Sequence, residues 1–259
     1  MEVLIIIIVT FFAGMGAGLG TGFAGMSAAA VITPMLVTFL GIDPYMAVGI
    51  ALFSDILASA ASSITYYKNK NIDIKNGLIM MLTVIAFTIL GSYIAKLVPS
   101  QTMGNFSVIM TFFLGLKFII KPVMKTKEES NSISKKKRII LSIIFGMLIG
   151  FICGFIGAGG GMMMLLVLTS VLGYDLKTAV GTSVFIMTFT ALTGGLSHLF
   201  LGESFNVLVL ILCMAFTLIW ALIAARIANK VDNKVLNRAT GVVLVVLGII
   251  IFIFNILSK

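Results

Sequence analysis

Residues 154–161 read GFIGAGGG, with glycine at five of eight positions, inside a stretch that is otherwise almost wholly apolar. A weaker echo, GFAGMSAA, occupies residues 22–29. Glycine costs a helix interior roughly 1 kcal/mol relative to alanine, so these runs read as breaks rather than helix-building segments. What they break is set by their surroundings.

The surroundings are hydrophobic. Of 259 residues, 60% are hydrophobic and 10% are charged, and the mean hydropathy is +1.19. A soluble domain carries about 25% charged residues, so this chain cannot cover a water-facing surface. Apolar runs of roughly 17–25 residues, the length that crosses a hydrocarbon core, recur from end to end. They are continuous rather than alternating, which excludes a transmembrane β-barrel. The expected class is an all-α polytopic membrane protein in a lipid bilayer. The net charge of +9 sits in short loops between apolar spans. It marks topology and lipid headgroup contacts, not a nucleic-acid surface. Cys153 and Cys213 both fall in apolar segments, giving neither a disulfide framework nor a CxxC metal spacing. The opening MEVLIIIIVTFFAGMGAG lacks the basic start of a signal peptide and carries Glu2, so it reads as part of the mature fold.

Shifted by 132 positions, the sequence aligns with itself without a gap. Gly14, Met15, Gly18, Gly22, Phe23 and Gly25 meet Gly146, Met147, Gly150, Gly154, Phe155 and Gly157. Leu36, Leu40, Gly41 and Asp43 meet Leu168, Leu172, Gly173 and Asp175. Ala47, Val48, Gly49 and Phe53 meet Ala179, Val180, Gly181 and Phe185. Roughly a third of positions 14–53 match, which indicates an internal duplication. The organisation expected is a first transmembrane repeat over 1–122, a basic cytoplasmic linker over 123–138 and a second repeat over 139–259.

Expected spans are 3–20, 24–40, 44–66, 76–97 and 102–122, then 139–156, 160–172, 176–200, 206–228 and 235–257. The segment 160–172 is too short to cross about 30 Å at 1.5 Å per residue, so it reads as half of a broken or re-entrant helix. Basic residues collect around Lys68–Lys75, in the seven of Lys121–Arg138, and around Arg226–Arg238. If each glycine-broken pair is a hairpin that leaves on the side it entered, all three loops fall on one side and both termini outside. Each half then makes an odd number of crossings, and the repeats are inverted relative to one another. Inverted repeats with discontinuous helices characterise secondary transporters, which bind substrate at the repeat interface.

A break at membrane depth leaves the first N–H groups of the following half-helix without intrahelical partners. Those donors and the positive end of the helix dipole make an anion site without a charged side chain. Two breaks facing one another would cradle one small oxyanion. The candidate substrate contacts are Gly25, Met26 and Ser27 in the first half and Gly157, Gly159, Gly160 and Gly161 in the second. The competing reading is that the glycines only allow close helix packing.

The pairing of GFIGAGGG with GYDLKTAVGTSV at 173–184, and its degenerate copy ending in GIDPYMAVGIAL, resembles the TauE/SafE sulfite-exporter family. The resemblance covers nearly the whole chain and implies a cell-membrane transporter of small anions such as sulfite or organosulfonates. The first half departs from the motif: AVGIA at 47–51 lacks the hydroxyls of AVGTS, and Ser27 stands where the second half has Gly159. Thr182 and Ser183 are therefore candidate anion contacts, or donors to their own i−4 carbonyls.

Asp55, in the middle of its span, is costly in a bilayer and reads either as a proton-coupling carboxyl or as a structural group bonded to Ser54, Ser59 or a neighbouring helix. Asp43 and Asp175 precede helices and read as N-caps. His198 is the only histidine and Met162–Met164 a packing run. No Walker A, HExxH or GxSxG sequence occurs, so neither an ATPase, an enzyme nor a cofactor is expected. The alternative to an alternating-access exporter is a passive anion channel built on the same helix-terminus site.

Overall fold

The structure, a computed structural model, describes residues 2–95, 116, 119–120, 134–156, 160–200 and 206–257. Its elements are all helices. The first half contains α1 (Glu2–Ala24), α2 (Ala29–Leu40), α3 (Pro44–Lys68) and α4 (Ile74–Ala95). The second contains α5 (Lys135–Ile156), α6 (Gly160–Leu166, running on as a π-helical turn over Val167–Val171), α7 (Leu176–Phe200), α8 (Val207–Lys230) and α9 (Asn233–Leu257). Among the described residues, α1, α3, α4, α7, α8 and α9 are long and apolar enough to cross a membrane. All but residues 116, 119 and 120 of the expected span 102–122, most of the linker, and Gly157 and Gly159 of the candidate site lie outside the described residues.

The sequence differs from the structure at the element ends. The apolar run expected as 24–40 is interrupted by a turn, and α2 starts only at Ala29. Helix α5 starts at Lys135 rather than 139 because Ser134 caps it, its Oγ accepting from Lys137 N–H at 3.4 Å and its C=O from Arg138 N–H at 3.0 Å.

The duplication is visible in local chemistry. Helix α2 and the α6 segment end alike: Gly41 and Gly173 take left-handed φ of +60° and +69°. At the same offset, Ile42 N–H donates to Leu36 O at 3.3 Å and Tyr174 N–H to Leu168 O at 3.0 Å. Asp43 and Asp175 are N-caps as expected, accepting from Met46 N–H at 3.3 Å and Thr178 N–H at 3.1 Å. Both half-helices are irregular at matching places. Pro34 removes a backbone donor inside α2, and the corresponding stretch of the second half-helix widens into the π-helical turn.

The first helix of each repeat packs on the fourth helix of the other. Gly14, Gly18 and Gly22 of α1 lie against Phe216, Trp220 and Ala224 of α8; a Cβ on Gly18 would sit 2.6 Å from Thr217 O. Gly146 and Gly150 of α5 lie likewise against Met80, Thr83 and Val84 of α4. These glycines serve close backbone approach, the small-xxx-small packing of membrane helices. In both pairs the contacts advance together, so the paired helices run parallel. The equivalent helices α3 and α7 run antiparallel: Gly181 meets Tyr66, while Gly194 meets Leu52 and Gly195 meets Ile56.

One end of the bundle gathers the basic loops. Asn71 Nδ2 donates to Asn229 Oδ1 at 2.6 Å, and Lys177 Nζ donates to Val231 O at 2.5 Å, capping the C-terminus of α8. Arg138 at the start of α5 reaches Asp73, before α4, at 3.7 Å.

Candidate functional site

The first glycine break begins where α1 stops. Gly25 takes φ +61° and reverses the chain; its N–H donates to Thr21 O at 2.9 Å, and Met26 N–H to Gly20 O at 3.2 Å. A helix end leaves carbonyls without intrahelical donors, and at membrane depth water does not supply them. Here hydroxyls from three other helices do. Tyr66 Oη of α3 donates to Gly22 O at 2.8 Å, Thr240 Oγ1 of α9 to Phe23 O at 3.0 Å, and Ser183 Oγ of α7 to Gly25 O at 2.9 Å. Thr21 Oγ1, from α1 itself, donates to Met26 O at 2.9 Å.

The start of α2 has the opposite need, donors without acceptors. Ser27 Oγ donates to Asp55 Oδ2 at 2.8 Å and accepts from Ala29 N–H at 3.4 Å. The backbone amide of Ala28 also reaches the Asp55 carboxyl. Asp55 is fully buried, and its second oxygen, Oδ1, has no hydrogen-bond partner among the described residues. The flanking serines go elsewhere: Ser54 Oγ to Ile50 O at 2.8 Å, and Ser59 Oγ to the main-chain oxygen of Asp55 at 2.5 Å. Asp55 thus sits as an acceptor at the positive end of α2.

The second break reaches the first. Gly161 of α6 packs so closely on the first turn that a Cβ there would lie 2.7 Å from Gly25 O and 2.8 Å from Ser27 N. Gly160 packs against Cys153 of α5. Gly25, Met26, Ser27, Gly161, Ser183 and Asp55 therefore share one buried locality at the junction of the two repeats. Thr182 faces away from it, its Oγ1 accepting from Asp73 N–H at 3.1 Å. Neither Thr182 nor Ser183 bonds its own i−4 carbonyl in the way the sequence allowed; each hydroxyl instead ties α7 to the other repeat.

Sequence reasoning passed over the groups around Asp73. That carboxylate caps α4 through Asn76 N–H at 3.1 Å and accepts Asn76 Nδ2 and Tyr174 Oη, both at 2.6 Å. The Arg138 guanidinium lies 4.8 Å above the Tyr174 ring. Burial, and behind it the Asp73 carboxylate, hold the Tyr174 phenol well above its ordinary value, so it remains a donor. These residues are scattered over the sequence, in loops and in the first turns of helices, and no spacing announces them.

The family model for the sulfite exporter TauE/SafE matches residues 10–251, a stretch that contains every described group of this junction. The chain belongs to the TauE/SafE family. Curated relatives agree with that membership. A probable membrane transporter protein of Bacillus subtilis, YunE, is 27% identical over 221 residues, covering 78% of this chain and 80% of its own. A second from the same organism, YdhB, is 23% identical over 197 residues, covering 76% and 78%. One from Methanocaldococcus jannaschii, MJ0441, is 27% identical over 202 residues, covering 75% and 72%. As a TauE/SafE member the chain is a multi-pass membrane transporter, and the described groups of its candidate site lie in the family-matched region.

Proposed function

We propose that this protein is a secondary transporter of the cell membrane that exports a small anion of the sulfite or organosulfonate class by alternating access. The observation that carries this reading is the meeting of the two breaks, with Gly161 seated on Gly25 and Ser27. Irregular backbone buried at the interface of two repeats is where transporters of this architecture bind substrate. The antiparallel run of α3 against α7, and the parallel runs of α1 with α8 and α5 with α4, support repeats inserted in opposite senses. The gathering of basic loops at one end supports a cytoplasmic linker and extracytoplasmic termini. In this reading the substrate lies against Gly25, Met26, Ser27, Gly157, Gly159, Gly160 and Gly161, with Ser183 beside it and Thr182 turned to Asp73. Asp55 is the coupling carboxyl, its buried Oδ1 open to a proton.

The test is sulfite flux into proteoliposomes under an imposed pH gradient. Gradient-driven flux is expected in the native protein. Gly161→Ala, which pushes the two breaks apart, is expected to lower it at least about tenfold, the scale of a 1.4 kcal/mol change. Asp55→Asn is expected to leave flux that no longer follows the pH gradient. Unchanged coupling in that variant removes Asp55 from the role. Discrete single-channel currents in planar bilayers would replace alternating access by a passive channel.

A further inference from the structure

The last turns of α3 and the facing turns of α8 leave a cleft of about 290 Å3 between them. Two stripes of side chains run into it. On α3, Leu57, Ala61, Ile64 and Lys68 recur at helical spacing, and on α8, Ile219, Leu222, Ile223 and Arg226 do the same. Each stripe is aliphatic along the span and ends in one exposed cation. Leu57, Ile64, Ile219 and Ile223 are exposed on the bundle surface, so below the cations the groove faces the acyl chains of a bilayer. Cations near helix C-termini ordinarily serve the last carbonyls. Here those carbonyls are already taken. Tyr66 O accepts from Asn71 N–H and Tyr67 O from Lys70 N–H, both at 2.9 Å, while Lys177 Nζ caps α8. Among the described residues, Lys68 and Arg226 have no ion-pair or hydrogen-bond partner, and no carboxylate lines the cleft. Two like charges share one cleft with nothing to balance them.

We propose that this cleft binds the phosphate of an anionic phospholipid with a hydroxyl-bearing headgroup, held between Lys68 and Arg226. The guanidinium fork grips two phosphate oxygens, and the ammonium adds a point charge. Asn69 Nδ2 donates to Thr65 O at 2.8 Å, which leaves its Oδ1 to accept from a headgroup hydroxyl. The aliphatic stripes favour a lipid over a free anion, because the cations stand at the end of a groove where a phosphate arrives attached to acyl chains. Basic pockets between membrane helices recognise headgroups in this way. On their inner faces the same two helices hold the first break. Tyr66 Oη donates to Gly22 O at 2.8 Å, and a Cβ on Gly22 would lie 2.5 Å from the Cβ of Ala224. The headgroup therefore ties α3 to α8 at the turns that carry Tyr66 and Ala224.

The test uses the full-length protein in a neutral detergent, with thermal unfolding as the readout. Dioleoyl phosphatidylglycerol is the probe, and dioleoyl phosphatidylcholine at equal concentration is the control. The glycerol lipid is expected to raise the unfolding temperature saturably, by roughly 2–4 °C beyond the choline lipid. Lys68→Gln/Arg226→Gln is expected to lose most of that difference. Lys234→Gln/Arg238→Gln, which removes the same charge from exposed positions of α9 at the same end, is expected to keep it. A response that survives in the first variant, or that is lost equally in both, overturns the proposal. Inorganic phosphate and glycerophosphoglycerol, which lack acyl chains, are expected to give no saturable shift. A shift as large as the lipid's would make the cleft a free-anion site and overturn the lipid assignment. If the first variant does not fold, native mass spectrometry of the native protein in mixed lipid decides. One glycerol lipid retained with at least about tenfold preference over the choline lipid is expected, and no preference overturns it. None of these readouts requires sulfite flux, so failure here leaves the export reading standing, and an absence of flux leaves the lipid site standing.

Discussion

The side chains that hold the first break are ordinary hydroxyls, and their worth lies in what they leave behind when removed. Tyr66 Oη donates to Gly22 O in a fully buried setting, so Tyr66→Phe strands a carbonyl where water does not reach it. The expected cost is about 1–3 kcal/mol, and Thr240→Val should cost a similar amount at Phe23 O. Ser54→Ala is the control, because Ser54 Oγ only returns to Ile50 O on its own helix, a carbonyl that keeps its helical partner. Thermal unfolding in one detergent should rank Tyr66→Phe and Thr240→Val well below Ser54→Ala; equal melting points would show that these carbonyls have other donors. At this scale the sequence is half legible. Asp55 declares itself because an acid in an apolar run is expensive, but its partner Ser27 lies in another element and no spacing links the two. Thr182 and Ser183 declare themselves as hydroxyls next to one another, and nothing in that adjacency says that one meets Asp73 and the other Gly25.

The helices are easy to place from the sequence because continuous apolar runs and N-caps are local properties, and Asp43, Asp175, Gly41 and Gly173 perform locally what their types suggest. Which helix meets which is a different matter, since contacts between halves depend on surfaces far apart in the chain. The glycine spacing of α1 shows a smooth face but does not name α8 as its partner. Two glycines separate the local and the non-local contributions experimentally. A Cβ on Gly41 would meet nothing within 4 Å, so Gly41→Ala tests only the left-handed φ of +60° and should cost about 1–2 kcal/mol. Gly18 is helical, so Gly18→Ala carries no φ penalty, and any cost comes from forcing α1 away from Thr217 O and Trp220 of α8. Overpacking of that kind costs typically 1–3 kcal/mol. Restoring room on α8 should separate the two in a double-mutant cycle: Trp220→Gly, which removes the Cβ that a Gly18 Cβ would meet at 2.7 Å, is expected to recover part of the loss in Gly18→Ala and none of the loss in Gly41→Ala. Recovery of both, or of neither, by thermal unfolding would count against α1–α8 packing as the reason for the glycine.

Taken as a whole, the molecule is an exchange of equivalent parts with unequal chemistry at its two ends. Arg138, Tyr174 and Thr182, which gather around Asp73 at the end with the basic loops, correspond by the duplication to Ile6, Ile42 and Ile50. One end is thus closed by charged and hydrogen-bonded groups and the repeat-equivalent positions are aliphatic. Polar closure suits a face rich in cationic loops, and the proposed orientation, which follows the positive-inside rule, turns that face to the cytoplasm. The assignment is open to direct measurement. In a background with Cys153 and Cys213 replaced by alanine, single cysteines at Asn69, Val207 and Lys230 sit at exposed ends of α3 and α8. A membrane-impermeant maleimide should label Val207→Cys in intact cells, and Asn69→Cys and Lys230→Cys only in inside-out vesicles. Helices α3 and α8 would then each cross once, with their C-terminal ends on the same side, as their shared polar cluster requires. Labelling of Asn69→Cys and Val207→Cys from one side would break the hairpin reading of the glycine runs, because α3, α4 and α8 could no longer alternate in direction about a first half that leaves where it entered.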